Sequence, residues 1–170
     1  MKIKIREIVI FAMLGAIMFT SKVIMEGLPN IHLLGTLVVA YTITYRAKAL
    51  FPIYAYVFAN GLWEGFRPFD WLPETYIWLI LWGITMLLPK KMPPRVAPIV
   101  YMSVSAIHGL LFDVLYIPAY LLFANIPLDR LWLTFLMGVP YVALQAVGNF
   151  ALGTLIVPIA TLLRKLDKKT

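Results

Sequence analysis

Residues 8–25 read IVIFAMLGAIMFTSKVIM, and this mostly apolar run decides the class of fold. Its length of about 18 residues is close to the ~20 that a helix needs to cross the hydrocarbon core of a bilayer. Lys2, Lys4 and Arg6 precede it. Because no small-residue cleavage site occurs before Glu26, the pattern predicts a retained membrane-spanning helix and not a signal peptide.

The composition extends this prediction to the whole chain. The 170 residues are 62% hydrophobic and only 14% charged, and the mean hydropathy is +0.86. A soluble domain of this length needs far more polar surface. We therefore expect an all-α integral membrane protein that forms a single domain over residues 1–170. The absence of cysteine excludes disulfide bonds and thiol chemistry.

Turn and helix-breaking residues divide the sequence into six predicted transmembrane helices. The second is only about 21 Å long at ~1.5 Å per residue, too short for a simple crossing, so neighbouring helices must shield it. Pro118 and Pro140 interrupt helical runs and indicate irregular ends of the fifth and sixth helices. The predicted spans are roughly 5–25, 32–45, 49–66, 73–88, 96–122 and 132–163.

Basic residues are strongly biased toward one set of predicted loops, which predicts the orientation. With the N-terminus in the cytoplasm, the outer side holds only Lys22, Arg67 and Arg130. Such a bias is typical of cytoplasmic loops, so we expect both termini inside. The net charge of +7 then reflects topology, and no nucleic-acid partner is expected. The predicted inner basic residues are Lys2, Lys4, Arg6, Arg46, Lys48, Lys90, Lys91, Arg95, Arg164, Lys165, Lys168 and Lys169.

Acidic residues collect at the opposite ends of the predicted helices. Only Glu7 and Asp167 lie on the inner side, and Asp113 lies toward the outer half of the fifth helix. Polar chemistry therefore concentrates in the outer half, which we interpret as the functional half. The acidic residues at or near the outer ends are Glu26, Glu64, Asp70, Glu74 and Asp129.

Ionisable and amide side chains alternate with aromatic residues at helical spacing in this outer half. Ionisable residues inside spans are costly and are functional candidates, and residues three or four apart share a helix face. Aromatic rings supply apolar walls and polar groups fix orientation, as in a small-molecule pocket. Ser105 and Phe112 share the stripe of His108. The candidate substrate-binding residues on these helices are Asn60, Trp63, Glu64, Glu74, Trp78, Trp82, His108, Asp113, Tyr116, Tyr141, Gln145 and Asn149.

Each of these residues also has an ordinary structural interpretation. Trp71 and Trp132 fit interfacial anchors, while Trp78 and Trp82 fit either the core or a pocket wall. His108 fits a hydrogen-bonded packing histidine, and Gln145 and Asn149 fit interhelical hydrogen bonds. Lys22 either extends toward water or pairs with Glu26 one turn later. The small residues Ala12, Gly15 and Ala16 form a stripe that fits docking on a partner helix or packing within the chain.

Several function classes lack their motifs in this sequence. The two histidines, His32 and His108, form no HExxH pattern, and there is no paired-carboxylate motif, so a protease or metal site is not expected. No glycine-rich phosphate loop is present, so any ATP hydrolysis belongs to other chains. Neither a ring of pore charges nor an internal repeat is visible, which disfavours a channel and many secondary transporters.

The chain resembles the substrate-binding S-components of energy-coupling factor (ECF) transporters. The likeness is carried by the six short spans, the basic N-terminus before Ala12 and Ala16, and the turn 28–33 (LPNIHL) that opens a short second helix. Gly148, Asn149 and Gly153 of the sixth helix also fit. Asn30 and His32 in that turn join the substrate-binding candidates. Lys2 stands where the cobalt and nickel members have histidine, so metal uptake is disfavoured.

The resemblance implies a function, partners and a location. It implies an outward-facing pocket for a water-soluble vitamin or precursor, with a thiamin precursor or a pyridoxine-like heterocycle among the options. Ala12, Gly15 and Ala16 would then dock on a transmembrane coupling subunit that two cytoplasmic ATPases drive, in a prokaryotic cytoplasmic membrane. The chain itself would be neither an enzyme nor the holder of a cofactor. The alternative is a small membrane scaffold resembling the rod-shape protein MreD, and an intramembrane enzyme is a third hypothesis.

Overall fold

The computed structural model describes residues 4–28 and 30–168, with the side chain of Lys168 left out. Within these ranges every regular secondary-structure element is a helix, which confirms the all-α class. Two 3₁₀ turns, Arg46–Ala49 and Gly153–Leu155, join successive helices. The helices are α1 Ile5–Met25, α2 Leu34–Tyr45, α3 Leu50–Glu64, α4 Pro68–Leu87, α5 Ala97–Leu110, α6 Phe112–Leu115, α7 Ile117–Leu122, α8 Leu128–Leu152 and α9 Ile156–Lys168.

Helix α2 is the centre of the bundle. It has 12 residues and is buried continuously from Leu34 to Thr42, because α1, α4, α5 and α9 all pack against it. The uniformly apolar sequence LGTLVVAYTITY explains this position, since a helix that is apolar all round is stable only inside a core or in lipid. The predicted shielding of this short helix by its neighbours is confirmed.

Contacts between helix ends show the directions in which the first three helices run. An ion pair joins Lys48 to Glu7 at the start of α1, and another joins Lys22 to Glu64 at the ends of α1 and α3. Helices α1 and α3 therefore run parallel, and α2, which connects them in the chain, runs in the opposite direction. We call the end with Arg46 and Lys48 the basic end, and the end with Glu64 and Glu74 the acidic end. Lys22 pairs with Glu64 and not with Glu26, which is exposed.

Gly15 packs α1 against α3 within the chain. A Cβ at this position would lie 2.7 Å from the Ala55 Cβ and 3.0 Å from the Pro52 carbonyl oxygen. Only glycine allows the two backbones to approach this closely. The assignment of Gly15 to a partner-docking face is therefore corrected, whereas Ala12 and Ala16 are exposed on α1.

Three of the predicted spans differ from the structure. Helix α4 begins at Pro68 instead of residue 73, because proline is well tolerated in the first helical turn. Pro140 lies inside an unbroken α8, and the interruption of the sixth span falls at Gly153. There a Cβ would lie 3.0 Å from the Met102 Cα, so α5 packs directly on the 3₁₀ turn. The predicted fifth span is broken into α5, α6 and α7, the last with Pro118 in its first turn.

By length and hydropathy, two helical segments of the described ranges are capable of crossing a membrane. They are Ile5–Met25, near the N-terminus, and Leu128–Asp167, which includes the turn at Gly153. Many large apolar side chains on the bundle are also exposed, such as Leu87, Met137 and Val147. An outer surface of this kind is unusual for a soluble monomer and is a hint of membrane association.

Candidate functional site

A carboxylate held by two neutral donors lies toward the acidic end, between α3 and α4. The Tyr56 hydroxyl donates to Glu74 Oε1 at 2.9 Å, and Asn60 Nδ2 donates to Glu74 Oε2 at 3.1 Å. Tyr56 and Asn60 are four residues apart on α3, so their side chains reach the same point from successive turns. Both donors are fully buried. Neither carries a positive charge, so the Glu74 carboxylate is hydrogen-bonded but its charge is not neutralised by them.

Trp78 follows Glu74 by one helical turn and connects the aromatic side chains of three other elements. Its ring centroid lies 5.7 Å from that of His108 on α5 and 6.2 Å from that of His32 before α2. It also lies 6.4 Å from the Tyr56 ring on α3. Trp78 is only 2% exposed, so the indole forms the buried centre of this group of rings.

Beside the Trp78 group, amide and hydroxyl side chains of α5 and α8 meet near α2. Asn149 Nδ2 donates to the Ser105 carbonyl oxygen at 3.1 Å, and both side chains are buried, as is Gln145. Two glycines permit this approach. A Cβ on Gly35 would lie 2.8 Å from the Ser105 Oγ, and a Cβ on Gly109 would lie 2.6 Å from the Asn149 Nδ2. His108, one turn after Ser105, connects these residues to Trp78.

Buried polar atoms for which the structure gives no hydrogen-bond partner surround Trp78. Leaving such an atom unpaired costs about 1–3 kcal/mol, so most buried polar groups in proteins are paired. Here they belong to residues of α2, α3, α4, α5 and α8 or of the turn before α2. We call these residues, with Tyr56 and Glu74, the central cluster. The atoms are His32 Nδ1, Thr36 Oγ1, Asn60 Oδ1, Trp78 Nε1, Ser105 Oγ, His108 Nδ1 and Asn149 Oδ1.

The turn before α2 lies on the central cluster. Ile31 packs against Gly148 of α8, while the neighbouring His32 contacts Trp78 edge to face. Asn30 has a φ of 55°, a left-handed conformation that asparagine adopts more readily than most residues. Residues 30–32 therefore join α8 to α4 across the cluster. The turn therefore covers part of the Trp78 group.

Four predicted site residues lie away from the central cluster. Trp63 is 61% exposed and packs on Phe19, and Tyr141 is 57% exposed. Glu64 pairs with Lys22. Trp82 donates from Nε1 to the Arg46 carbonyl oxygen at the basic end. Of the predicted α3 residues Asn60, Trp63 and Glu64, only Asn60 therefore belongs to the cluster.

Asp113, on α6, and Tyr116, directly after α6, both lie beside the central cluster. The Asp113 carboxylate contacts Gly138 of α8, where any side chain would displace it. Tyr116 stacks with Phe112, at a centroid distance of 5.3 Å, and donates to the Asp70 carbonyl oxygen at 3.3 Å. Phe112 in turn contacts Trp78. Tyr116 therefore continues the aromatic group toward the surface, whereas Asp113 belongs to the α6–α8 contact.

Sequence reasoning missed Tyr56 and Thr36. Tyr56 precedes Asn60 by four residues, and extending that stripe by one turn would have included it. Thr36 is one of three threonines in the mostly apolar helix α2, and nothing in the sequence distinguishes its hydroxyl from the other two.

The chemistry of the central cluster suits recognition of a polar aromatic molecule. It offers ring faces, one carboxylate and several donors and acceptors of known position. No group of three or more His, Asp or Glu side chains in the described ranges could hold a metal ion. Comparison with known proteins adds nothing further, because no protein-family profile, curated protein or solved structure matches this chain.

Proposed function

We propose that this chain is a membrane-embedded substrate-binding subunit, similar to an ECF S-component, that captures a small ring-containing vitamin or precursor. The observation that carries the proposal is the set of unpaired polar atoms around Trp78. A network that is only partly satisfied in a core is expensive, and a ligand with several donors and acceptors would satisfy it. The bundle would lie in a prokaryotic cytoplasmic membrane with six spans and both termini inside.

In this proposal the residues of the central cluster have separate roles. Glu74 accepts hydrogen bonds from a cationic or amino group of the ligand, since its two protein donors are neutral. Trp78 stacks on the ring, as aromatic pairs favour offset or edge contacts. His108, Asn149 and Ser105 complete the hydrogen bonds, while Trp63 and Tyr141 face the lipid. Movement of residues 30–32 opens the site.

Delivery of the ligand would depend on partner chains. Ala12 and Ala16 are exposed on α1, and Ala12 borders an apolar groove of about 340 Å³ that Phe11, Phe51 and Ala55 also line. Small residues on a lipid-facing helix favour close helix–helix contact. We therefore assign this groove to the transmembrane coupling subunit, which would transmit the ATP hydrolysis of two cytoplasmic ATPases.

The proposal is tested by identifying what the purified protein carries. The full chain would be purified in detergent, denatured with acid or solvent, and the released small molecules identified by mass spectrometry. A stoichiometric heterocycle in the wild type that is lost in Glu74→Gln, but kept in the exposed-carboxylate control Glu26→Gln, supports the proposal. The absence of any such compound, together with no thermal stabilisation by a vitamin panel, contradicts it.

One observation favours the scaffold alternative. The central cluster is packed closed, and Trp78 has almost no exposed surface. A scaffold needs no ligand, so its polar side chains would serve only interhelical contacts such as the bond from Asn149 to the Ser105 carbonyl. In that case the Glu74→Gln and Trp78→Phe variants would change stability without changing the affinity for any small molecule.

A further inference from the structure

A cavity lined by basic side chains lies at the basic end of the bundle, on the opposite side of Trp82 from Trp78. It measures about 200 Å³ and is bordered by Arg46, Lys90, Arg164 and Tyr101. An adjoining cavity of about 230 Å³ shares the last three of these residues and adds Lys91. We call the two together the basic cavity. It has room for a phosphate group and several waters.

The two arginines are held in place by helix ends. Arg46 Nη2 donates to the Met86 carbonyl oxygen at 2.8 Å, and Arg164 Nη2 donates to the Ile43 carbonyl oxygen at 2.7 Å. These carbonyls lie in the last turns of α4 and α2, where backbone oxygens lack helical partners. Each guanidinium has five N–H donors, so one such bond fixes its position and leaves others for an anion.

The charge of the basic cavity is not balanced by its own walls. None of the described residues that line it is an aspartate or glutamate. Asp167, three residues after Arg164 on α9, is not part of the lining. Elsewhere in the bundle, by contrast, Lys22 and Lys48 are each paired with a glutamate. Of the four cationic side chains, Lys90, Lys91 and Arg164 are exposed, so water screens part of their mutual repulsion, and an anion bound between them would lower it further.

We propose that the basic cavity binds a phosphate group, supplied by the headgroup of an anionic phospholipid or by a soluble phosphorylated molecule. Arginine guanidinium groups match phosphate oxygens with paired hydrogen bonds, and lysine adds charge. Basic pockets between helices on the cytoplasmic side of membranes bind anionic headgroups in this way. The binding site is independent of the central cluster and does not rest on the proposed vitamin-binding function.

The test removes the exposed lysines and keeps the arginines that cap the helices. Full-length protein, depleted of lipid in a neutral detergent, would be unfolded thermally while tryptophan fluorescence is recorded. The probes are phosphatidylglycerol, phosphatidylcholine and inorganic phosphate, each titrated separately. Lys90→Gln/Lys91→Gln is compared with Arg95→Gln/Lys165→Gln, which removes the same charge from exposed residues outside the cavity lining.

We expect saturable stabilisation by phosphatidylglycerol, but not by phosphatidylcholine, in the wild type and in the Arg95/Lys165 control. The apparent Kd should be about 10- to 30-fold weaker in the Lys90/Lys91 variant, because each basic residue near a headgroup contributes about a factor of five. If inorganic phosphate alone gives the lysine-dependent stabilisation, the ligand is a soluble phosphorylated molecule. Equal responses of the two variants, or no saturable response to any probe, overturn the proposal.

Discussion

Asn60 donates from Nδ2 to Glu74 Oε2 at 3.1 Å, while its own Oδ1 is buried without a hydrogen-bond partner. One side chain therefore both holds the carboxylate and presents an unused acceptor beside it. A ligand that carries an amino group would contact Glu74 and Asn60 Oδ1 together. This pair is the most specific recognition element of the proposed site.

Replacement of Glu74 by Gln should weaken ligand binding by roughly 10- to 100-fold. A charge-assisted hydrogen bond is about twice as strong as a neutral one, and glutamine also directs an N–H₂ group toward one of the donors Tyr56 or Asn60. Isothermal titration of the purified variant with the ligand released from the wild type measures the change. Glu26→Gln, which removes an exposed carboxylate, should bind as the wild type does, and an equal loss in both variants would contradict the assignment.

Trp78 should report ligand binding by fluorescence. Stacking of an aromatic ligand on its buried indole should quench emission in the wild type, and the response should disappear in Trp78→Phe. Phenylalanine preserves a ring in the core and avoids the large cavity that alanine would leave. Trp63→Phe is the matched control, because Trp63 is exposed on the other face of α3. A ligand response that persists in Trp78→Phe places the ligand elsewhere.

Substitutions at Gly15 and Ala16 should distinguish packing within the chain from docking on a partner. Gly15→Val should destabilise the isolated protein by roughly 1–3 kcal/mol, since its side chain would collide with Ala55 and the Pro52 backbone. Ala16→Leu should leave thermal stability unchanged and reduce copurification with the coupling subunit. Thermal unfolding and pull-down of coexpressed chains measure the two effects, and a stable Gly15→Val protein would refute the close α1–α3 contact.

Gly83→Ala provides the contrasting case on α4. A Cβ at this position meets nothing within 4 Å, and alanine favours a helix interior over glycine by about 0.5–1 kcal/mol. We therefore expect a small increase in thermal stability. A decrease in thermal stability would indicate that this face of α4 contacts another molecule, because within the chain a Cβ at Gly83 contacts nothing.

The ion pair of Lys22 with Glu64 should couple α1 to α3 energetically. A double-mutant cycle with Lys22→Met and Glu64→Gln should give a coupling energy of about 0.5–3 kcal/mol, because both side chains are largely buried. The exposed pair Arg67–Asp70 is the control and should give no more than about 1 kcal/mol. Equal coupling in the two cycles would mean that burial adds nothing to the first pair.

Much of the helix order is local information and could be predicted from sequence. Apolar runs mark most helices within a few residues of their observed ends, whereas the start of α4 at Pro68 and the break at Gly153 were not predicted. The direction in which each side chain points around its helix was less predictable. Successive residues turn by about 100°, so a stripe with four-residue steps drifts by about 40° per step. Tyr141 is two steps from Asn149 and leaves the buried sector for this reason.

Contacts between distant segments lay outside the reach of the sequence. The partner of Lys22 depends on which helix packs beside α1, and the local candidate Glu26 was wrong for this reason. The unpaired atoms around Trp78 likewise emerge only when α3, α5 and α8 are assembled. The residue types of the site were identified from the sequence, but only the structure shows which of the candidate residues contact one another.

The central position of α2 also has a consequence for biogenesis. In the proposed membrane setting, the 12 residues of α2 are too few to span the bilayer, and the helices that enclose it include α9, which is synthesised much later than α2. The nascent chain would therefore retain α2 in a provisional location, beside α1 or the insertion machinery, until α9 has been made. Interruption of translation before α9 would leave an intermediate with an unsheltered helix, which membrane quality-control proteases are suited to remove.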